Sequence, residues 1–174
     1  GGANGEITES GVRRADGAEH EFDVIIYGTG FQASSFLTPM TVRGEGGRDL
    51  HAAWDGEARA YLGLTIPEFP NLFLMYGPNT NIVINGSIIY FSELEARYIV
   101  ESVRMLAERG LASLRVRADV HDEYNRGVDE ANAGMEWGAA GVDHWYKNES
   151  GRVTPNRQFS LLECGNSHRQ QYAA

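Results

Sequence analysis

The chain has 174 residues, of which 42% are hydrophobic and 22% charged; this length suits one domain or a domain with an extension, and the composition excludes disordered, collagen-like and coiled-coil architectures. Its 15 basic and 24 acidic residues give a net charge of −9, which argues against nonspecific binding to nucleic acid or anionic membranes, since both need a basic surface. No apolar run reaches the roughly 18 residues that span a membrane, the opening Gly-Gly-Ala-Asn-Gly-Glu lacks signal-peptide character, and Cys164 is the only cysteine, so a cytoplasmic protein without an internal disulfide is expected.

Because the first residue is Gly rather than Met, the chain is expected to be processed or to be a piece of something larger. Its first 22 residues read as a polar hairpin. Ile7-Thr8 and Val12-Arg13 alternate in the manner of strands, Asp16-Gly17 supplies a two-residue turn, and Ala18 to Phe22 continues. Asp23-Val24-Ile25-Ile26-Tyr27 is continuous and β-branched, the pattern of a strand covered on both faces.

From Phe31 to Pro70 the chain is mixed, with a loop at Gly44, Gly46 and Gly47; Asn71 to Tyr76 then repeats the buried-strand pattern and stops at Gly77-Pro78. Two such strands imply a short, mostly parallel sheet. A helix is expected over 87–109, with Ile89, Ser92, Ala96, Ile99, Val103 and Leu106 on its inner face, an outer Glu93–Arg97 pair, and Gly110 as the residue that ends it. Leu114 to Arg117 reads as a short strand. Asp119 then offers an N-cap for a second helix whose Val120, Tyr124, Val128, Ala131 and Met135 share a face. Beyond Trp137 periodicity fades, and Asn148-Glu149-Ser150-Gly151 marks a turn.

Two glycine sites follow the apolar runs. Gly28-Thr29-Gly30-Phe31-Gln32-Ala33 fits G-x-G-x-x-[G/A], but a dinucleotide fingerprint needs a helix of several turns aiming its N–H groups at the pyrophosphate, and Pro39 arrives too soon for one. A tight turn without a ligand is an alternative. At the second site Gly77-Pro78-Asn79-Thr80-Asn81, with Asn85 and Ser87, gathers amide and hydroxyl groups at the positive end of the long helix, where partial negative charge is stabilised; the plainer alternative is an ordinary capped loop.

The run Asp23 to Phe31 resembles the "D-x-hydrophobic-x-x-A-T-G-[FY]" motif of flavoprotein monooxygenases. Together with Phe69 to Asn81, the Ser87-Ile88-Ile89 helix entry with Glu95, Arg97, Tyr98 and Ile99, and Trp145-Tyr146-Lys147-Asn148 followed by Gly151-Arg152-Val153, it is similar to the C-terminal part of type I Baeyer–Villiger monooxygenases, nearest to the branch that oxidises 4-hydroxyacetophenone. The resemblance covers about Ile7 to Leu162 and implies an α/β fold: the C-terminal portion of an FAD/NAD(P)-binding Rossmann-like domain, with a β-hairpin, a short parallel sheet and two main helices. It implies the second half of an FAD-binding domain over 1–117 and a helical, aromatic extension over 118–174.

The resemblance implies FAD and NADPH as cofactors and a ketone and O₂ as substrates. NADPH reduces the flavin, O₂ adds at its C4a carbon, and the flavin peroxide converts the ketone, aryl or cyclic, to an ester or lactone. By the same resemblance Gly28, Thr29, Gly30 and Phe31 would lie near FAD at a domain crossing, Gly77, Pro78, Asn79, Thr80 and Asn81 would border the isoalloxazine ring, and Trp145 and Tyr146 would line the substrate or nicotinamide side. No catalytic residue is assigned. The FAD and NADP fingerprints and the F-x-G-x-x-x-H-x-x-x-W-P signature do not occur, and His51 and Trp54 sit outside any such pattern, so the chain is expected to be inactive unaided and, with a sheet cut from its neighbours, to self-associate.

Gly28 stands where Ala is usual, a change expected to be tolerated, and Cys164-Gly165 departs from the family's aromatic pair, leaving 164–174 without a reading. His121, Asp122 and His144 lack the spacing of a zinc motif and read as surface residues, Cys164 with His168 reads as an inert thiol, and Trp54, Trp137 and Tyr61 read as packing residues. A non-catalytic α/β interaction module is the competing interpretation.

Overall fold

The computed structural model describes residues 4–28, 32–83, 86–139, 141 and 144–157. The chain divides into two compact units, Gly1–Phe31 and Gln32–Ala174.

In the first unit β1 (Asn4–Ile7), β2 (Gly11–Arg14) and β3 (Glu19–Glu21) form an antiparallel meander. The register sets Arg13 opposite both Glu6 and Glu19, and its guanidinium bonds each carboxylate at 2.7 Å. The β2–β3 turn is one residue longer than Asp-Gly alone suggests. Gly17 N donates to Arg14 O and Arg14 N to Ala18 O, with Gly17 at φ 86°, the left-handed position that closes a three-residue loop. Residues 24–28 form no strand. Val24, Ile26 and Tyr27 are 74%, 90% and 67% exposed, which corrects the expectation of a doubly covered strand: β-branched composition supplies the propensity, but a strand exists only with a neighbour to bond.

The second unit is built around two apolar clusters. Leu50, Trp54, Ala58, Ala60, Ile66, Phe69 and Leu74 form the first, and Leu62, Leu64 and Tyr98 the second, with Tyr61, Phe73, Ile99 and Tyr124 against it. A short helix absent from the sequence reading, α1 (Leu50–Trp54), delivers Leu50 and Trp54 to the first cluster; Asp49 caps it by accepting from Ala52 N. The Trp54 indole N–H donates to Arg59 O at 2.9 Å, so this tryptophan is a packing residue as expected.

Residues 71–76 are not a strand either. Asn71 and Tyr76, at its two ends, have φ of 59° and 56°, conformations that break an extended ladder, and Leu74 N donates to Leu64 O. Nor do 114–117 form a strand: the Asn71 side chain takes a strand's place there, accepting from Leu114 N at 3.0 Å and donating to Ala112 O at 3.2 Å. Among the described residues the parallel pairing is that of β4 (Asn81–Ile82) with β5 (Asn156–Arg157).

Helix α2 (Ile88–Arg109) starts at Ser87, whose side chain accepts from Tyr90 N, and ends at Gly110 in the left-handed conformation, both as the sequence indicates. The buried face is Phe91, Glu95, Tyr98 and Ser102, roughly one residue away from the expected stripe, and Ile89 and Val103 of that stripe are 70% and 52% exposed. Helix α3 (Ala118–Ala133) buries His121, Asn125, Val128 and Asn132; of the expected face Val128 is buried and Tyr124 packs against the second cluster, while Val120 is 38% exposed. Its N-cap is Arg117; Asp119, expected as the cap, instead pairs with the Arg117 guanidinium. Among the described residues the result is an α/β fold with two main helices, a hairpin and a minimal parallel pair.

Candidate functional site

The loop from Gly77 to Asn81 precedes α2 in the chain, and close packing fixes its path. A Cβ on Gly77 would fall 2.2 Å from Gly63 O, and one on Gly63 2.0 Å from the Thr80 side chain, so both glycines are required for backbone to pass backbone. Pro78, Asn79 and Thr80 are buried. The Thr80 hydroxyl donates to Gly77 O at 2.7 Å, closing the turn on itself. Asn79, at φ 57°, donates through Nδ2 to Val153 O and Asn156 O. Asn79 N and Asn81 N donate to Thr154 O and Pro155 O, and Asn81 Nδ2 to Asn156 Oδ1. The polar side chains that look ligand-directed in the sequence are thus spent largely on residues 153–157, which tie the loop from behind.

Arg152 completes this attachment. Its side chain is 10% exposed, and its guanidinium donates from Nε to Asp129 Oδ1 on α3, from Nη1 to Ala58 O and from Nη2 to Asn79 Oδ1, at 2.8, 2.9 and 3.1 Å. Arg59 bonds the other Asp129 oxygen at 2.6 Å, and Glu57 stands 3.8 Å from Arg152 and 3.9 Å from Arg59. Burial lowers the Arg152 pKa against the opposing pull of Asp129. For Glu57 burial acts upward but is outweighed by hydrogen bonds from Ser150 and Asn148 and by the two arginines, leaving its carboxyl below the usual range.

Glu95, in the second turn of α2, is fully buried behind the start of the loop. Its Oε1 accepts from Tyr76 N at 3.3 Å, while Oε2 has no hydrogen-bond partner among the described residues. Desolvation pushes its pKa up to about 7, against smaller downward contributions from the Tyr76 N–H and the Arg157 charge. The Arg157 guanidinium lies 5.1 Å from the Phe91 ring centre. Sequence reading placed Glu95 only as part of a resemblance; its burial has no signature in a helix whose exposed face is as apolar as its hidden one.

Gly28 is at the end of the first unit with open space around its missing Cβ, so an Ala there would meet no obstacle, as expected. Thr29, Gly30, Phe31, Asn85, Cys164 and His168 lie outside the described residues. After Gly28 the described residues 32–39 form turns, with no helix among them. The Trp145 and Tyr146 rings meet at a 39° tilt with centres 4.0 Å apart and Trp145 61% exposed, on an arm whose Tyr146 O accepts from Thr154 N. His144 bridges Trp137 O and Tyr146 N through its two ring nitrogens, which makes it a structural residue. His121 is 8% exposed with Nδ1 2.9 Å from Asp122, a correction to its reading as a surface residue. Trp137 and Tyr61 pack as expected, against Asn132 and Tyr124.

No protein-family model matches the chain. It is 38% identical over 154 residues to the FAD-binding monooxygenase ktnD of Aspergillus niger, covering 86% of this chain and 25% of that protein. Over 140 residues it is 37% identical to a Baeyer–Villiger monooxygenase of Pseudomonas aeruginosa, covering 80% and 26%. Among solved structures, OTEMO in complex with FAD and NADP matches with a TM-score of 0.77 and 25% identity, over 97% of this chain and 31% of that one. The fold is that of a segment of a flavin monooxygenase. Over most of its own length the chain is similar to Baeyer–Villiger and related FAD-binding monooxygenases, and it spans about a quarter of the length of the curated relatives it matches.

Proposed function

We propose that the chain is the C-terminal part of an FAD- and NADPH-dependent Baeyer–Villiger monooxygenase, one that inserts an oxygen atom from O₂ into an aryl or cyclic ketone to give an ester or lactone. Residues 1–117 belong on this reading to the second half of the FAD-binding domain and 118–174 to an extension of it. The observation that carries the proposal is the Gly77–Asn81 loop, held from behind by residues 152–157 at the start of α2, in a chain 37% identical to a Baeyer–Villiger monooxygenase.

The residues fit the ring of a flavin rather than a whole dinucleotide. Gly28 is not followed by a pyrophosphate-binding helix among the described residues, whereas the first turn of α2 presents Ile88 and Ile89, 60% and 70% exposed, at the positive end of a 22-residue helix. Glu95 Oε2 and Asn156 Nδ2 are buried polar atoms without partners among the described residues, both on residues that contact this loop or its preceding residue. When bound, the flavin supplies the oxygen chemistry. The chain's own work is to hold the Gly77–Asn81 backbone against the ring, to favour an electron-rich ring with the α2 dipole, and to offer Trp145 and Tyr146 as an apolar wall on the substrate side. No residue of this chain is assigned a proton-transfer role.

The reading is tested by grafting. The chain replaces the matching segment of the Pseudomonas aeruginosa relative, and the purified hybrid is assayed for retained flavin and for ester formation from an aryl ketone. Flavin retention with ester product supports the proposal, and the isolated chain supplied with FAD and NADPH is expected to form none. A hybrid that folds but neither retains flavin nor forms ester contradicts it.

A further inference from the structure

We propose that Arg152 is a positioning residue that joins the aromatic arm carrying Trp145 and Tyr146 to the Gly77–Asn81 loop, through the Asn79 side chain. The functional meaning of the inference rests on the reading above, that this loop borders the flavin.

Residues 146–154 form a tight hairpin. Lys147 pairs with Val153, Asn148 N donates to Arg152 O, Gly151 N to Asn148 O, and Asn148 Oδ1 accepts from Arg152 N. One arm begins at the tilted Trp145–Tyr146 pair and the other carries Arg152. The Arg152 fork then reaches three separate elements: α3 at Asp129, the backbone at Ala58, and the loop at Asn79. Its bond to Asn79 Oδ1 also fixes which way the amide faces. With the oxygen toward Arg152, both Nδ2 donations go to Val153 O and Asn156 O, so a single orientation satisfies every partner.

Asn79 holds a positive φ of 57°, a left-handed conformation that asparagine adopts more readily than other side-chain-bearing residues. The charges around the fork are balanced, Arg59 and Arg152 against Glu57 and Asp129. Balance alone would accept a lysine. The three-way geometry would not, because an ammonium on a flexible stem cannot reproduce a planar fork aimed at three fixed acceptors. Charge and shape therefore make separable predictions.

The test uses the isotope-labelled chain and amide hydrogen exchange followed by NMR. Arg152→Lys is expected to speed exchange at Asn79 N and Asn81 N at least tenfold and to shift the Asn79 side-chain amide signals, with α2 amides changed less than twofold. Arg59→Lys, which shares Asp129 but does not touch Asn79, is expected to leave the loop amides unchanged. If Arg152→Lys does not fold, the pair Arg152→Met with Asp129→Leu serves instead, because removing both partners strands no buried charge, and the same local acceleration is expected. Unchanged loop exchange, or acceleration spread uniformly over the chain, overturns the proposal. Addition of FAD to the unsubstituted chain keeps the two ideas apart: loop amides that respond to Arg152 substitution but not to FAD leave the clamp standing and remove the flavin reading.

Discussion

Gly63 and Thr80 are locked together: a Cβ at position 63 would sit 2.0 Å from Thr80 Cγ2 and 3.2 Å from Pro78 O. Gly63 also holds φ 76°, where any L side chain is strained. Gly63→Ala is therefore expected to destabilise the chain by roughly 2–4 kcal/mol, combining overpacking with backbone strain. Adding Thr80→Ser, which deletes the clashing methyl and keeps the hydroxyl that bonds Gly77 O, should recover about half of that loss. Urea unfolding of the two variants checks the prediction; a double variant no better than Gly63→Ala would refute the steric account.

Glu95 makes a pH prediction with a definite sign. Its folded pKa is raised from 4.5 to about 7 by burial, so between those values the folded chain holds a proton that the unfolded chain releases. Stability from this group is intact below pH 4.5 and lost as pH rises toward 7, by about 3 kcal/mol in all. Glu95→Gln, which keeps an acceptor for Tyr76 N, should flatten the dependence and be the more stable protein above pH 7. Unfolding free energies of both proteins from pH 4 to 8 give the comparison, and parallel curves would contradict it.

The exposed face of α2 bears on association. Ile89, Val100 and Val103 are 70%, 62% and 52% exposed, and with Ala96 they recur at helical steps along one side. The chain spans about a quarter of its relatives' length, so in isolation this stripe is expected to pair with a second copy. Light scattering should show mass rising with concentration, and Val100→Glu with Val103→Lys should restore a monomer. A monomer across the full concentration range without substitution would argue against this.

The Ser87 cap offers a local control. Ser87→Ala removes the acceptor for Tyr90 N and is expected to cost about 1 kcal/mol, measured by thermal unfolding. The Ser87 side chain accepts from Tyr90 N, whereas the Arg152 fork bonds Asp129, Ala58 and Asn79, so loss of the cap should leave exchange at the Gly77–Asn81 loop within twofold of the parent chain.

Local chemistry was readable where it is self-contained. Ser87 and Gly110 bound α2 because capping depends on one side chain and one backbone conformation, and the Asn148–Gly151 turn formed for the same reason. The faces of α2 and α3 were not readable: α2 is apolar on two sides and hides Glu95 and Ser102, while α3 hides His121, Asn125 and Asn132, so apolar periodicity points the wrong way. The runs at 24–27 and 71–76 have strand composition, but the first finds no ladder partner among the described residues and the second is interrupted by left-handed Asn71 and Tyr76. At the site the Gly77–Asn81 loop was legible as a cluster of residue types. That Asn79 faces inward, and that Arg152 holds it, depends on residues more than 70 positions away and leaves no local signature.

The central claim is that the Gly77–Asn81 loop borders a flavin ring. Titrating the labelled chain with FAD to millimolar concentration and following every amide by NMR tests it most directly, since weak binding of the ring suffices for a shift. Shifts concentrated at Tyr76 to Asn81 and the first turn of α2, with α3 unmoved, are the expected result. Saturating shifts confined to other surfaces, or none at all, would contradict the account.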